Sequence, residues 1–205
     1  MHREILKKEQ KELLPFFSQY LKKYYLVGGT AIALQLGHRT SIDFDLFIFG
    51  RINSNAIKKQ IACSGFEHHL LLEKSDQIHY IMNQVKVTFF EFPFKIQAPV
   101  TFDQYFKMPD LMTLAAMKAF ALGNRGKWKD YVDLYFIIKN YFGIKEISVC
   151  AKEIFTGGFN PTLFVKQLCY FDDINYDEQV EIMPGFEVSD DEVKEFLVEA
   201  CLTGF

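Results

Sequence analysis

The chain has 205 residues, 49% hydrophobic and 16% aromatic, with 22 Phe, enough apolar surface for one large core or two small ones and too much for a disordered chain. No apolar run is long enough to span a membrane, and the charged opening MHREILKKEQKELL lacks the apolar stretch of a signal peptide. The net charge of −3 hides an asymmetry: residues 172–205 hold eleven acids against one lysine, a local −10, and residues 1–171 carry +7.

Residues 4–23 predict an amphipathic helix, with Ile5, Leu6, Leu13, Phe16, Phe17, Tyr20 and Leu21 at helical spacing. Pro15 is expected to kink or split it. YYLVGG is a short buried strand ending in glycine, and TAIALQLG a short helix with Thr30 as N-cap and Gly37 as stop. A strand over 42–49 and a helix over 54–64, capped by Asn53 or Ser54, come next. FEHHLLLE, QIHYIMN and VKVTFFEFPF read as three further strands, with Asn83-Gln84 as the turn between the last two. Pro93 and Pro99 bracket a loop. From Asp110 the pattern is helical, over 111–122, 128–142, 146–155, 161–170 and 190–202, the last opened by a Ser189/Glu192 capping box. The expected organisation is an α/β domain over 1–105 and a helical domain over 106–205 with an acidic C-terminal segment. The acidic segment reads either as a solvated helix pair or as a tail facing a basic surface. Four cysteines without CxxC spacing predict reduced thiols and a cytoplasmic location.

The strand LFIF is preceded by Asp43-Phe44-Asp45. A strand's period of two puts both carboxylates on one face, roughly 6.5–7 Å apart at Cα. Two like charges at that spacing repel by roughly 2 kcal/mol at an effective dielectric of ~20. The pair is either a solvated edge or a divalent-cation site, and Mg²⁺ is commonly held by one or two carboxylates plus phosphates. Upstream, strand–Gly28-Gly29-Thr30–helix presents backbone N–H groups and a helix N-terminus, a ready anion site. A phosphate cradle and a carboxylate pair separated by one short helix describe a nucleoside-triphosphate site.

A second anomaly lies in PDLMTLAAMKAFALGNRGKWKDYVDLYFII. Lys118 occupies the apolar stripe of its helix, so it either snorkels to solvent or faces a polar cavity. Asp133 is the one charge in an otherwise apolar stretch of the next helix and needs a partner, for which Lys118 is the candidate. Asp130, one turn earlier, fits ordinary helix N-terminal charge. The loop GNRGKWK, with Arg125, Lys127 and Lys129, is a solvated connector or a phosphate or RNA contact.

GGTAIALQLGHRTSIDFDLF followed by MKAFAL-NRGKWKDYVDLY resembles the AbiEii-type nucleotidyltransferase-like toxins of abortive-infection and toxin–antitoxin systems, within the polymerase-β-like nucleotidyltransferase superfamily. The resemblance covers about residues 20–140. It implies an α+β fold: a minimal nucleotidyltransferase α/β domain, a mixed sheet flanked by helices, followed by a C-terminal helical bundle. It implies Asp43 and Asp45 as ligands of Mg²⁺ (or Mn²⁺). Gly28, Gly29, Thr30, Arg39, Ser41, Lys118 and Arg125 would serve nucleotide binding, and Asp43, Asp45, Lys118 and Asp133 catalysis. It implies an NTP substrate, an acceptor such as a tRNA 3′ end, and a cognate antitoxin partner. In one respect the sequence departs. Where many superfamily members carry a third carboxylate on a later strand, this chain has Thr88, and period two turns the nearby Glu91 to the other face. Asp133 or the metal alone would then activate the acceptor; the alternative is a catalytically weak nucleotide-binding module acting through a protein partner, or a purely structural interaction protein built on the acidic tail. His38 reads as a phosphate contact or a loop-surface residue. His68 and His69 point to opposite faces of a strand, and His79 is a weak signal.

Overall fold

The computed structural model describes residues 1–123 and 126–204, which fall into two units, Met1–Asp110 and Leu111–Phe205. In the first, five strands form one mixed sheet: β1 (Tyr25–Val27), β2 (Asp43–Ile48), β3 (His68–Glu73), β4 (Gln77–Met82) and β5 (Val85–Glu91), in the order β1-β2-β5-β4-β3. β2 runs parallel to β5, and the other neighbours are antiparallel. Helices α1 (Lys8–Phe17), α2 (Gly28–Leu36) and α3 (Ser54–Ala62) accompany the sheet.

Alternation along β2 and β5 decides which face becomes core. Phe44, Leu46, Val87 and Phe89 are fully buried, as is Ile78 on β4. Phe17 of α1 seats its ring 4.9 Å from that of Phe44 and 5.1 Å from that of Phe106. Tyr20 lies 5.0 Å from Phe89. Each such ring withdrawn from water contributes about 1.5–3 kcal/mol. The other face of β2 and β5 carries polar side chains at one end, Asp43, Asp45, Lys86 and Thr88, and aromatic ones at the other, where Phe47 lies 5.0 Å from Phe90.

The expected helix over 4–23 is three pieces, a 3₁₀ turn at Arg3–Ile5, α1, and a 3₁₀ turn at Ser18–Tyr20. Pro15 does not break α1. It sits on the exposed side, where water can take the carbonyl that loses its partner. Asn53 caps α3, its Oδ1 accepting from the Ala56 N–H at 3.0 Å. Asn83 and Gln84 both have positive φ, 47° and 66°, and turn β4 into β5 as expected. The Asn83 amide donates to the Glu9 carbonyl at 3.1 Å and to Glu12 Oε2 at 3.0 Å, tying the turn to α1. The stretch after Pro99 is more than a loop: β6 (Val100–Phe102) and β7 (Phe106–Met108) pair as a hairpin.

The second unit holds α4 (Leu111–Leu122), α5 (Trp128–Asn140), α6 (Ile144–Ile154), α7 (Pro161–Leu168) and α8 (Asp190–Thr203). α5 is buried nearly all round, from Tyr131 to Ile137. Phe120 stacks on Phe155 at 4.3 Å. The acidic segment is not a helix pair. Residues 169–189 are irregular, and only α8 is helical, its start capped by Ser189 Oγ at 3.2 Å from the Glu192 N–H. Glu192 does not close a capping box: its carboxylate accepts from the Tyr135 hydroxyl at 3.0 Å instead. No helix among the described residues is long and apolar enough to cross a membrane.

Candidate functional site

On β2, Asp43 and Asp45 are half-buried and alternate with buried Phe44 and Leu46, so both carboxylates lie on the face opposite those two core side chains. The register extends this face across the sheet. Asp43 stands opposite Lys86 and Asp45 opposite Thr88 on β5, and Thr88 in turn stands opposite His79 on β4. Lys86 offers a cation next to the like-charged pair, and nothing in the sequence pattern had singled it out.

The turn from β1 into α2 passes directly over Asp45. Gly28 has φ +72, and a Cβ there would sit 2.7 Å from Asp45 Oδ2. A Cβ on Gly29 would meet the Arg39 guanidinium and stand 3.4 Å from Ser41 Oγ. The helix therefore starts at Gly28, a turn earlier than a Thr30 cap would have it. Thr30 is buried inside the first turn, its hydroxyl donating to the Asp43 carbonyl and lying 2.8 Å from Ser41 Oγ. Arg39 is buried too and donates to the Thr40 carbonyl at 2.8 Å. These contacts lace the α2 N-terminus to the loop that leads into β2. Gly28, Gly29, Thr30, Arg39, Ser41, Asp43 and Asp45 thus share one place, and the N–H groups of the first helical turn, which have no partner within a helix, are held there. His38 is fully buried, not a loop-surface residue.

This face suits a divalent cation only in part. Among the described residues, no group of three or more His, Cys, Asp or Glu could hold a metal. Glu91 points away, its Oε1 accepting from the Ile52 N–H at 2.8 Å. Two carboxylate donors beside a helix N-terminus fit an ion of the Mg²⁺ type, which takes one or two protein carboxylates and completes its shell with water and phosphate oxygens. His79 is shifted below its ordinary pKa, first by burial and then by Lys86 and Lys74, with Asp45 pulling the other way.

The second constellation lies within the helical unit. Lys118 on α4 does not snorkel: it is 4% exposed, and its ammonium pairs with Asp133 Oδ2 at 2.9 Å and with Asp130 Oδ1. Asp130 and Asp133 are fully buried; three residues apart on α5, they share one face of it. The Lys118–Asp133 pair was legible in the sequence. Asp130 was not, because an acid in a first helical turn has an ordinary explanation; the signal available was its i, i+3 relation to Asp133.

Arg125 lies outside the described residues. Its neighbours Lys127 and Lys129 are committed to Glu178, Lys127 at 2.5 Å. Burial would raise the Glu178 pKa, but hydrogen bonds from Lys127 and Lys129 outweigh it and hold the carboxyl at about 2. The backbone around Asn175 is fastened to the same stretch, its N–H donating to the Gly126 carbonyl at 2.7 Å and its carbonyl accepting from Trp128 N–H at 3.1 Å. The acidic tail therefore faces a basic surface of its own chain.

Comparison with known proteins bears on this arrangement directly. The family model described as "Nucleotidyl transferase AbiEii toxin, Type IV TA system" matches residues 16–195. An uncharacterised protein of Aquifex aeolicus (strain VF5) is 31% identical over 203 residues, covering 93% of each chain. Among solved structures, the nucleotidyltransferase toxin MenT4 of Mycobacterium tuberculosis H37Rv superposes with a TM-score of 0.61 at 14% identity, over 94% of this chain and 80% of that one. A candidate nucleotidyltransferase from H. pylori gives 0.56 at 16% identity, over 96% and 93%. At such identities the superpositions speak for the fold alone. The family match spans most of both units and the site residues from Gly28 to Glu178: the chain belongs to the AbiEii nucleotidyltransferase toxin family.

Proposed function

We propose that this chain transfers a nucleotidyl group from an NTP to a hydroxyl acceptor, with the 3′ end of tRNA as the acceptor class. The observation that carries the reading is the placement of Asp43 and Asp45 on the sheet face opposite the Phe44 and Leu46 core, with the Gly28 turn packed against the Asp45 carboxylate. In this reading the acceptor oxygen bonds to the α-phosphorus, the bond from that phosphorus to its bridging oxygen breaks, and pyrophosphate leaves. The first-turn N–H groups of α2 receive the triphosphate, Thr30, Arg39 and Ser41 brace that turn, and Lys86 adds positive charge. Mg²⁺, or Mn²⁺ in its place, would be held by Asp43 and Asp45 and when bound neutralises charge on the triphosphate oxygens. In the helical unit, Asp130 and Asp133 hold the Lys118 ammonium in one position, and we assign the three a common supporting role in the transfer. The +7 charge of residues 1–171 supports a polyanionic acceptor. The toxin family's setting supports an antitoxin partner, and the reduced cysteines a cytoplasmic site of action.

The test is incubation with labelled NTPs, Mg²⁺ and total tRNA. Transfer by wild type and its loss in Asp43→Ala support the reading; label that stays in the NTP with both proteins overturns it. A second reading, nucleotide binding without turnover and action through a protein partner, is favoured by Thr88 at the register position opposite Asp45. It expects an NTP-induced thermal shift with no pyrophosphate release.

A further inference from the structure

The carboxylate face has donors for phosphate and acids for a cation, but the attacking hydroxyl must also lose a proton. Candidates on that face are few. Asp43 and Asp45 are assigned above to cation binding, Lys86 is a cation, and the Thr88 hydroxyl does not accept a proton near neutrality. Beyond Thr88 the register continues to His79, so that Asp45, Thr88 and His79 form one cross-sheet row on one face. Gln77, on the same face two residues earlier, fixes the ring. Its Oε1 lies 2.8 Å from His79 Nε2. An amide oxygen only accepts, so Nε2 donates and the neutral ring carries its lone pair on Nδ1.

We infer that His79 is the general base of the transfer, taking the acceptor's hydroxyl proton on Nδ1. The inference rests on the transferase reading above. As the acceptor oxygen bonds to the α-phosphorus, the O–H pair becomes the new O–P bond and the proton moves to Nδ1. The bridging O–P bond breaks, its electron pair leaves with pyrophosphate, and the imidazolium returns its proton to solvent. The charged groups around the ring are Lys86 on β5, Asp45 on β2 and Lys74 in the β3–β4 turn. Burial and the two lysines hold the ring below its ordinary value of 6.5, so it is in the accepting form at pH 7 and above.

The experiment measures label transfer to tRNA from pH 5 to 8.5 for wild type, His79→Gln and His79→Ala, with NTP affinity and thermal unfolding in parallel. The expected result for both variants is a fall in kcat at pH 7.5 of about 10²- to 10⁴-fold. NTP affinity should stay within about threefold of wild type, the unfolding temperature close to wild type, and exogenous imidazole should restore part of the His79→Ala rate. Wild type should lose rate about tenfold per pH unit on the acid side, and His79→Gln should lack that limb. Transfer by His79→Gln at the wild-type rate with the same pH profile overturns the assignment while leaving the transferase reading intact. Wild type and Asp43→Ala both without transfer at every pH overturns the transferase reading, and the base assignment with it.

Discussion

Gly28 and Asp45 are fitted to each other: a Cβ on Gly28 would stand 2.7 Å from Asp45 Oδ2, on a residue that already has φ +72. Gly28→Ala therefore meets two costs. The left-handed backbone costs an L-residue about 1–2 kcal/mol, and the carboxylate must shift to admit the methyl group. A displacement of about 1 Å in a positioned group costs on the order of 10²-fold in rate. The expected outcome is a modest loss of stability in urea and a much larger loss of NTP-dependent thermal shift. A variant with wild-type nucleotide binding would show that the contact is only a packing detail.

Asp45→Asn removes one member of the like-charged pair. With about 2 kcal/mol of repulsion at an effective dielectric of ~20, reduced in practice by solvent and by Lys86 opposite Asp43, the metal-free protein should gain up to about 1 kcal/mol. The same change should abolish stabilisation by NTP with Mg²⁺. Stability gained and ligand response lost in one substitution marks a functional site. Paired thermal melts, with and without ligand, make the comparison.

Lys118→Met leaves Asp130 and Asp133 buried without their ammonium, and breaking such a cluster costs about 3–5 kcal/mol. Asp130→Asn and Asp133→Asn added to it should recover much of that loss, because the buried negative charge goes with them. Denaturant titration of the single and triple variants reads out the difference. Equal stability of the two would mean that the cluster is not electrostatically coupled.

What could be read from the sequence follows from how local the signal is. The strand with Asp43 and Asp45, the Asn83-Gln84 turn, and α4, α5 and α8 rest on periodicity and caps spanning a few residues, and they stand where expected. Lys118 and Asp133 stood out because each breaks an apolar pattern. The rest depends on pairings between distant segments. Lys86 and His79 join the carboxylate face only through the register of β2, β5 and β4. Asp130 and Glu178 look like surface acids until the chain folds lysines onto them. Pro15 lies within α1 without breaking it, because its cost depends on whether water reaches the freed carbonyl. The β6–β7 hairpin leaves no periodic signal in the sequence, because each strand is three residues long.

Gln84 occupies the second turn position between β4 and β5 with φ 66. Such two-residue turns favour glycine there, since both central residues take positive φ. Gln84→Gly should stabilise the protein by roughly 0.5–1 kcal/mol, somewhat offset by the greater freedom of glycine in the unfolded chain. The side chain is exposed, so activity should not change. A melt showing destabilisation would mean that the turn's strain is relieved by contacts of the Gln84 side chain.

Glu178 gives the acidic tail a pH signature. Its folded-state pKa is depressed to about 2 from 4.5, against the upward pull of burial, by hydrogen bonds from Lys127 and Lys129. A depressed carboxylate contributes stability that is fully present above its unfolded value and is lost as pH falls through its folded value. The window is therefore pH 4.5 down to about 2. The side chain is 36% exposed, so screening reduces the contribution to about 1 kcal/mol. Glu178→Gln should cost about that much at pH 7 and nothing near pH 2, so that the two unfolding curves converge on acidification. Salt should narrow the gap at pH 7. Because the same carboxylate occupies both lysines, Glu178→Gln should also raise affinity for polyanions such as tRNA, measured by filter binding as a function of salt. Tighter, steeper salt-dependent binding by the variant would identify Lys127 and Lys129 as phosphate contacts that the tail covers; unchanged binding would leave the Glu178 pairs as a tether holding the tail to α5.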